Sequence, residues 1–171
     1  MITYDLNLIK AFVFDVDGVL SSHKVYILMD GELMRSASVK DGYAIQLALK
    51  KGFEVCIITG GFSNDVMSRY RKLGVKHLYP CSANKLKDYN DFLKQTLLED
   101  HQVMYCGDDI PDYQVMCKAG LPVAPADAAP EIKQIAKYIS PINGGGGVAR
   151  DIVEQTLKVQ GLWMDDDAFN W

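Results

Sequence analysis

The chain has 171 residues, 49% hydrophobic and 23% charged, which suits one globular domain with a substantial core. A formal charge of −4 argues against a nucleic-acid binder, which usually shows a basic stripe, and no apolar run is long enough to span a bilayer. The start, MITYDLNLIK, lacks the basic region and cleavage site of a signal peptide, so a cytoplasmic location is expected.

Residues 9–16 read as a strand buried on both faces, ending in Asp15-Val16-Asp17-Gly18. Within residues 25–39, Asp30-Gly31 sits between two strand-like stretches, which signals a β-hairpin. A helix over 41–51, ended by Gly52, is followed by a second buried strand at 53–59. Ser63 can cap a helix closed by Gly74. A short strand at 77–79 and a helix over 85–98 come next, then the strand VMYC at 103–106 and a helix over 110–118. Short strands at 121–124 and 137–139 flank a helix from Pro130, and a glycine-rich loop at 143–147 precedes a last helix over 148–160. The tail GLWMDDDAFNW has no period, and residues 164–171 are expected to be mobile in part. No repeat or linker divides the chain, so a single domain is expected. The four cysteines form no C-x-x-C pair, which leaves them as reduced side chains rather than zinc or redox ligands.

Strands alternating with helices imply an α/β, Rossmann-like parallel sheet with helices on both faces. Ligands of such sheets bind beyond the carboxyl ends of the strands. Asp15 and Asp17 fall there, as do Thr59, Asp108 and Asp109.

D-V-D-G is not a calcium loop, because such a loop needs a glutamate at its twelfth position, which here is Tyr26. A turn whose aspartates bond backbone amides is the plainer alternative. GDDIPD at 107–112 repeats the pattern, and a helix cap by Asp109 explains one of its carboxylates, not three. Carboxylates gathered from two strand ends most economically share a hard cation such as Mg²⁺. Thr59-Gly60-Gly61 offers a hydroxyl and free amides to a phosphate, and reads equally as an ordinary strand-to-helix turn. Lys85 opposes the dipole at a helix start, a mild misfit that suggests a role, although a solvated surface lysine is the default reading. GGGGVAR before the last helix has too little chain after it for a dinucleotide unit, and a flexible loop bordering the crevice is expected. Neither a P-loop nor a serine nucleophile elbow is present.

In order and spacing, DVDG, ITG, a downstream lysine and GDDxxD resemble the four motifs of the haloacid dehalogenase superfamily of phosphotransferases. KDGYAI (40–45), the hairpin, SANKL (82–86), GDDIPD and GGGGVARD resemble its capless octulosonate phosphatase branch, over residues 8–162. The resemblance implies that Asp15 attacks phosphorus and Asp17 moves protons. It implies Mg²⁺ held by Asp15, Asp108 and the Asp17 carbonyl, and a phosphoryl group bound by Thr59, Gly60 and Lys85. Asp112, with Asp109 beside it, would orient these groups. Lys40 and Arg69 match basic positions of the branch and Arg150 follows the glycine loop, so these three are expected to meet a sugar-acid carboxylate; the alternative for each is a solvated surface charge, which for Arg150 is an equal reading. Gly61 and Gly146 depart from the branch, which carries arginine at both places. The alternatives within the superfamily are a nonulosonate 9-phosphate phosphatase or a mutase. A non-catalytic relative would have no need of Asp15 and Asp17 together. With the cap replaced by a hairpin bearing Tyr26, Leu28 and Leu33, pairing between subunits is expected, and the resemblance implies a homotetramer.

Overall fold

The computed structural model describes residues 2–170; Met1 and Trp171, the last residue of the tail, lie outside the described residues. In chain order the elements are β1 (Ala11–Phe14), β2 (Tyr26–Ile27), β3 (Leu33–Met34), α1 (Val39–Lys50), β4 (Glu54–Ile58), α2 (Asn64–Lys72) and β5 (His77–Tyr79). There follow α3 (Lys85–Thr96), β6 (Val103–Cys106), α4 (Tyr113–Lys118), β7 (Leu121–Ala124), α5 (Pro130–Ile135), β8 (Tyr138–Ile139) and α6 (Val148–Val159).

Six strands form one parallel sheet in the order β5-β4-β1-β6-β7-β8. β1 is buried at all four residues because strands flank it and helices cover both faces. Its side chains alternate between two cores. Phe12 and Phe14 pack with α1 and α6, including Ile45, Leu47, Ile152 and Leu157. Ala11 and Val13 face Tyr89, Phe92, Val115 and Ile132 of α3, α4 and α5. Fully burying one large apolar side chain such as Phe12 contributes roughly 1.5–3 kcal/mol. Cys56 and Cys106 sit in these layers as small apolar groups.

Local chemistry moves two helix boundaries. α1 starts at Val39, ahead of the expected residue 41, because Ser38 Oγ accepts the Asp41 N–H at 3.2 Å. The helix expected over 110–118 divides into a 3-10 turn, Ile110–Asp112, and α4, with Pro111 in the first turn and Asp109 as its cap. Among the described residues no helix is long and apolar enough to cross a membrane.

The glycine-rich loop, expected to be flexible, packs against the loop after β1. A Cβ on Gly144 would lie 2.0 Å from the Gly18 carbonyl oxygen, so only glycine permits this approach. Gly145 N–H donates to the Val19 carbonyl at 2.9 Å, and Gly144 N–H donates to Asp127 Oδ1 at 2.8 Å. The tail lies over α1. Its 3-10 turn, Asp166–Phe169, accepts the Tyr43 hydroxyl at the Ala168 carbonyl (2.6 Å), and Lys51 pairs with Asp165 and Asp167.

Candidate active site

The chain leaves β1 toward β4 on one side and leaves β6 toward β7 on the other. These diverging connections open a crevice at the carboxyl ends of β1 and β6, the place where open α/β sheets bind ligands. Asp15 follows β1, its N–H still donating to the Cys106 carbonyl at 3.1 Å. Its side chain enters a cavity of about 490 Å³ bordered also by Asp17, Thr59, Lys85 and Asp108. One carboxylate oxygen from each of Asp15, Asp108 and Asp112 lies within 4.8 Å of the others. Gly18, at φ +86°, makes room for them: a Cβ there would stand 1.9 Å from Asp108 Oδ2.

Lys85 begins α3 after the Asn84 cap, where its charge opposes the helix dipole. Two carboxylates compensate it, with Nζ 2.9 Å from Asp15 Oδ2 and 2.8 Å from Asp112 Oδ1. Both oxygens of Asp112 are engaged. Its Oδ1 also accepts the Tyr105 hydroxyl at 2.6 Å, and its Oδ2 accepts the Asp108 N–H at 3.2 Å. The cluster therefore holds three carboxylates and one ammonium, and among the described residues Asp108 has no ion pair. Burial, then the charge of Asp112, pushes the Asp15 pKa up to about 7. Burial, then Asp15, pushes Asp108 up to about 8. Burial works against the Lys85 ammonium, but Asp112 and Asp15 outweigh it and raise its pKa.

Thr59 closes β4 and is buried; its Oγ1 accepts the Gly61 N–H at 3.2 Å, and its carbonyl accepts the Ser82 N–H at 2.9 Å. Gly60 and exposed Asp109 also border the cavity, and Asp109 Oδ1 accepts the Ile110 N–H at 2.9 Å, as an N-cap does.

Three expected substrate contacts lie elsewhere. Arg69 Nη2 donates to the Ser38 carbonyl at 3.3 Å, beneath the start of α1. Arg150 pairs with Glu154 at 2.7 Å, and its guanidinium carbon lies 4.7 Å from the centre of the Trp163 ring. Lys40 is exposed and borders, with Arg150 and Gly146, a separate cleft of about 420 Å³.

Two groups escape sequence reading, one bordering the cavity and one held behind Asp17. Arg35, just past β3, reaches both oxygens of Asp17, and His23 lies at the mouth with Nδ1 3.3 Å from Asp127 Oδ2. Arg35 follows an exposed strand and His23 stands alone in a polar stretch. Neither belongs to a spacing pattern, so the sequence carries no signal for them.

An aspartate pair at the end of one central strand and an acidic loop at the end of its neighbour, joined by a buried lysine, form a phosphoryl-transfer site. Residues 75–152 match the family described as haloacid dehalogenase-like hydrolase. The 3-deoxy-D-manno-octulosonate 8-phosphate phosphatase of Escherichia coli is 41% identical over 153 residues, which is 90% of this chain and 81% of that protein. The crystal structure of the phosphatase of that name from Yersinia pestis matches with a TM-score of 0.89 at 36% identity, covering 92% of this chain and 85% of the other. The Moraxella catarrhalis phosphatase, solved with magnesium, phosphate and a KDO molecule, matches with a TM-score of 0.89 at 30% identity over 96% of this chain and 92% of that one. The chain belongs to the haloacid dehalogenase-like hydrolases, and within them to the 3-deoxy-D-manno-octulosonate 8-phosphate phosphatase family.

Proposed function

We propose that this protein is a Mg²⁺-dependent phosphatase that hydrolyses 3-deoxy-D-manno-octulosonate 8-phosphate to the free sugar acid and phosphate. The observation that carries this reading is the meeting of Asp15, Asp108 and Lys85 in one cavity, from the ends of β1 and β6 and the start of α3. The donor set fits a hard cation, because three clustered carboxylates face a single ammonium and, among the described residues, Asp108 has no ion pair. Asp15 and Asp108, with the Asp17 carbonyl, would hold Mg²⁺, which when bound offsets the repulsion between nucleophile and phosphate.

Asp15 then attacks phosphorus as the bond to the sugar oxygen breaks, giving an aspartyl-phosphate. Asp17 gives its proton to the departing sugar oxygen and afterwards takes one from the attacking water, help worth on the order of 10²–10⁴ in rate. Lys85, Thr59 and the amide of Gly60 stabilise the charge on the transferring phosphoryl oxygens. Asp112 and Tyr105 hold Lys85 in place, and Asp109 caps the turn that carries Asp112. None of the three basic residues expected to meet the sugar-acid carboxylate borders the cavity: Arg69 and Arg150 are engaged elsewhere, and Lys40 borders a separate cleft.

The hairpin supports a homotetramer. β2 and β3 have two residues each, and Tyr26, Ile27 and Met29 are exposed, so the hairpin buries little on its own subunit. Light scattering of the active enzyme tests this, and a fully active monomer would contradict it.

Phosphate release with Mg²⁺ tests the activity. The highest kcat/KM is expected with octulosonate 8-phosphate. A preference for nonulosonate 9-phosphates or neutral hexose phosphates would overturn the substrate, and no release from any of them would overturn the hydrolase.

A further inference from the structure

Arg35 follows the exposed hairpin, yet its side chain is only 6% exposed. Its guanidinium meets Asp17 as a fork, Nε to Oδ1 at 2.6 Å and Nη2 to Oδ2 at 2.9 Å. Nη1 donates to the Leu33 carbonyl at 3.3 Å, and Ser21 Oγ donates to Asp17 Oδ1 at 3.2 Å. Gly61 forms the floor of this arrangement. A Cβ there would lie 2.9 Å from Arg35 Nη2 and 3.3 Å from Asp17 Oδ2. A side chain after Thr59-Gly60 would therefore crowd the fork, and the guanidinium would have to shift.

An exposed surface ion pair contributes only ~0–1 kcal/mol and needs no buried guanidinium. This one instead holds a carboxyl that borders the reacting cavity, two residues from Asp15. Each carboxylate oxygen has two lone-pair sites; Oδ1 is filled by Arg35 and Ser21, while Oδ2 accepts only Arg35 Nη2 and keeps one site for the proton it gives and takes. Its side chain remains 35% exposed.

We propose that Arg35 is a positioning residue for the reaction. It aims the Asp17 carboxyl at the leaving-group oxygen and then at the attacking water, and it ties both steps to the hairpin. This rests on the phosphatase reading above. In the first step Asp15 bonds to phosphorus, the phosphorus–sugar oxygen bond breaks, and the sugar oxygen takes the Asp17 proton. In the second, water bonds to phosphorus and gives a proton to Asp17 while the bond to Asp15 breaks, releasing phosphate. Both transfers require one fixed carboxyl within hydrogen-bond reach, and a displacement near 1 Å costs on the order of 100-fold.

The test compares Arg35→Gln, Arg35→Lys and Gly61→Ala in the full magnesium-loaded protein, with folding checked by circular dichroism. Gly61→Ala leaves both charged residues in place and crowds the fork, so that the flexible guanidinium must shift against Asp17. Two substrates are used: octulosonate 8-phosphate, whose alkoxide leaving group needs a proton, and p-nitrophenyl phosphate, whose leaving group does not. With the sugar phosphate, Arg35→Gln should lower kcat by on the order of 100-fold with KM nearly unchanged. With p-nitrophenyl phosphate the first turnover should stay fast, giving a stoichiometric burst of nitrophenolate before slow hydrolysis of the aspartyl-phosphate. Lysine should restore part of kcat, and Gly61→Ala should show the same split and add nothing to Arg35→Gln. Equal losses on both substrates without a burst would overturn the proposal, as would a raised KM at constant kcat. Wild-type protein that releases phosphate from neither substrate would instead sink the phosphatase reading itself.

Discussion

Lys85 Nζ stands 2.8 Å from Asp112 Oδ1, and both side chains are buried. Asp112 contacts no substrate in the proposed reaction, so its effect on rate passes through Lys85. Asp112→Asn should lower kcat by roughly 10–100-fold with a smaller change in KM, measured as phosphate release. Asp112→Ala also strips Tyr105 and the Asp108 N–H of their acceptor. Its unfolding free energy by urea titration should fall by about 3–5 kcal/mol, the cost of breaking a buried pair.

Asp15 and Asp108 have pKa values raised to about 7 and about 8, and Asp41 to about 6, in each case chiefly by burial. In the unfolded chain these groups titrate near 4. The folded protein therefore binds more protons between those values, and stability falls as pH rises through them. The metal-free protein should lose thermal stability steadily from pH 5 to pH 8. Added Mg²⁺ binds the ionised carboxylates, so its increment in Tm should grow over the same range. Differential scanning fluorimetry with and without Mg²⁺ measures both, and an increment independent of pH would contradict the metal assignment.

Asp41 belongs to α1 but caps another helix. Its Oδ1 accepts the Arg150 N–H at 2.7 Å, at the start of α6, where Gly147 has no side chain to cap with. Asp41→Ala should lower stability by ~2 kcal/mol, the upper end of the usual range because the site is buried. It should also lower kcat, since α6 follows the loop that packs behind Gly18. Asp41→Asn keeps the acceptor and loses the buried charge, so at pH 8 its loss by urea titration should be the smaller.

The sheet was legible because its strands are apolar runs and their helices carry glycine stops and serine caps, as at Ser63 and Gly74. Asp15, Thr59, Lys85 and Asp108 were legible because each sits at a strand end or helix start within a dense motif. The strand order was not, since it depends on which edge each crossover takes. Arg35 was hidden for a related reason: its contact with Asp17 spans 18 residues and depends on how the hairpin folds back. Arg150 invites a substrate role by following the glycine loop, but Trp163 of an aperiodic tail and Glu154 on its own helix engage its guanidinium. Single contacts of that kind leave no period in a sequence.

The central claim is that Asp15 carries the phosphoryl group. Rapid quench of the magnesium-loaded enzyme with octulosonate 8-phosphate, followed by peptide mass mapping, tests it most directly. The predicted result is a hydroxylamine-labile phosphoryl group on Asp15, absent from a folded Asp15→Asn protein that releases no phosphate. A phosphoryl group on another residue, or near-wild-type phosphate release by Asp15→Asn, would contradict the account.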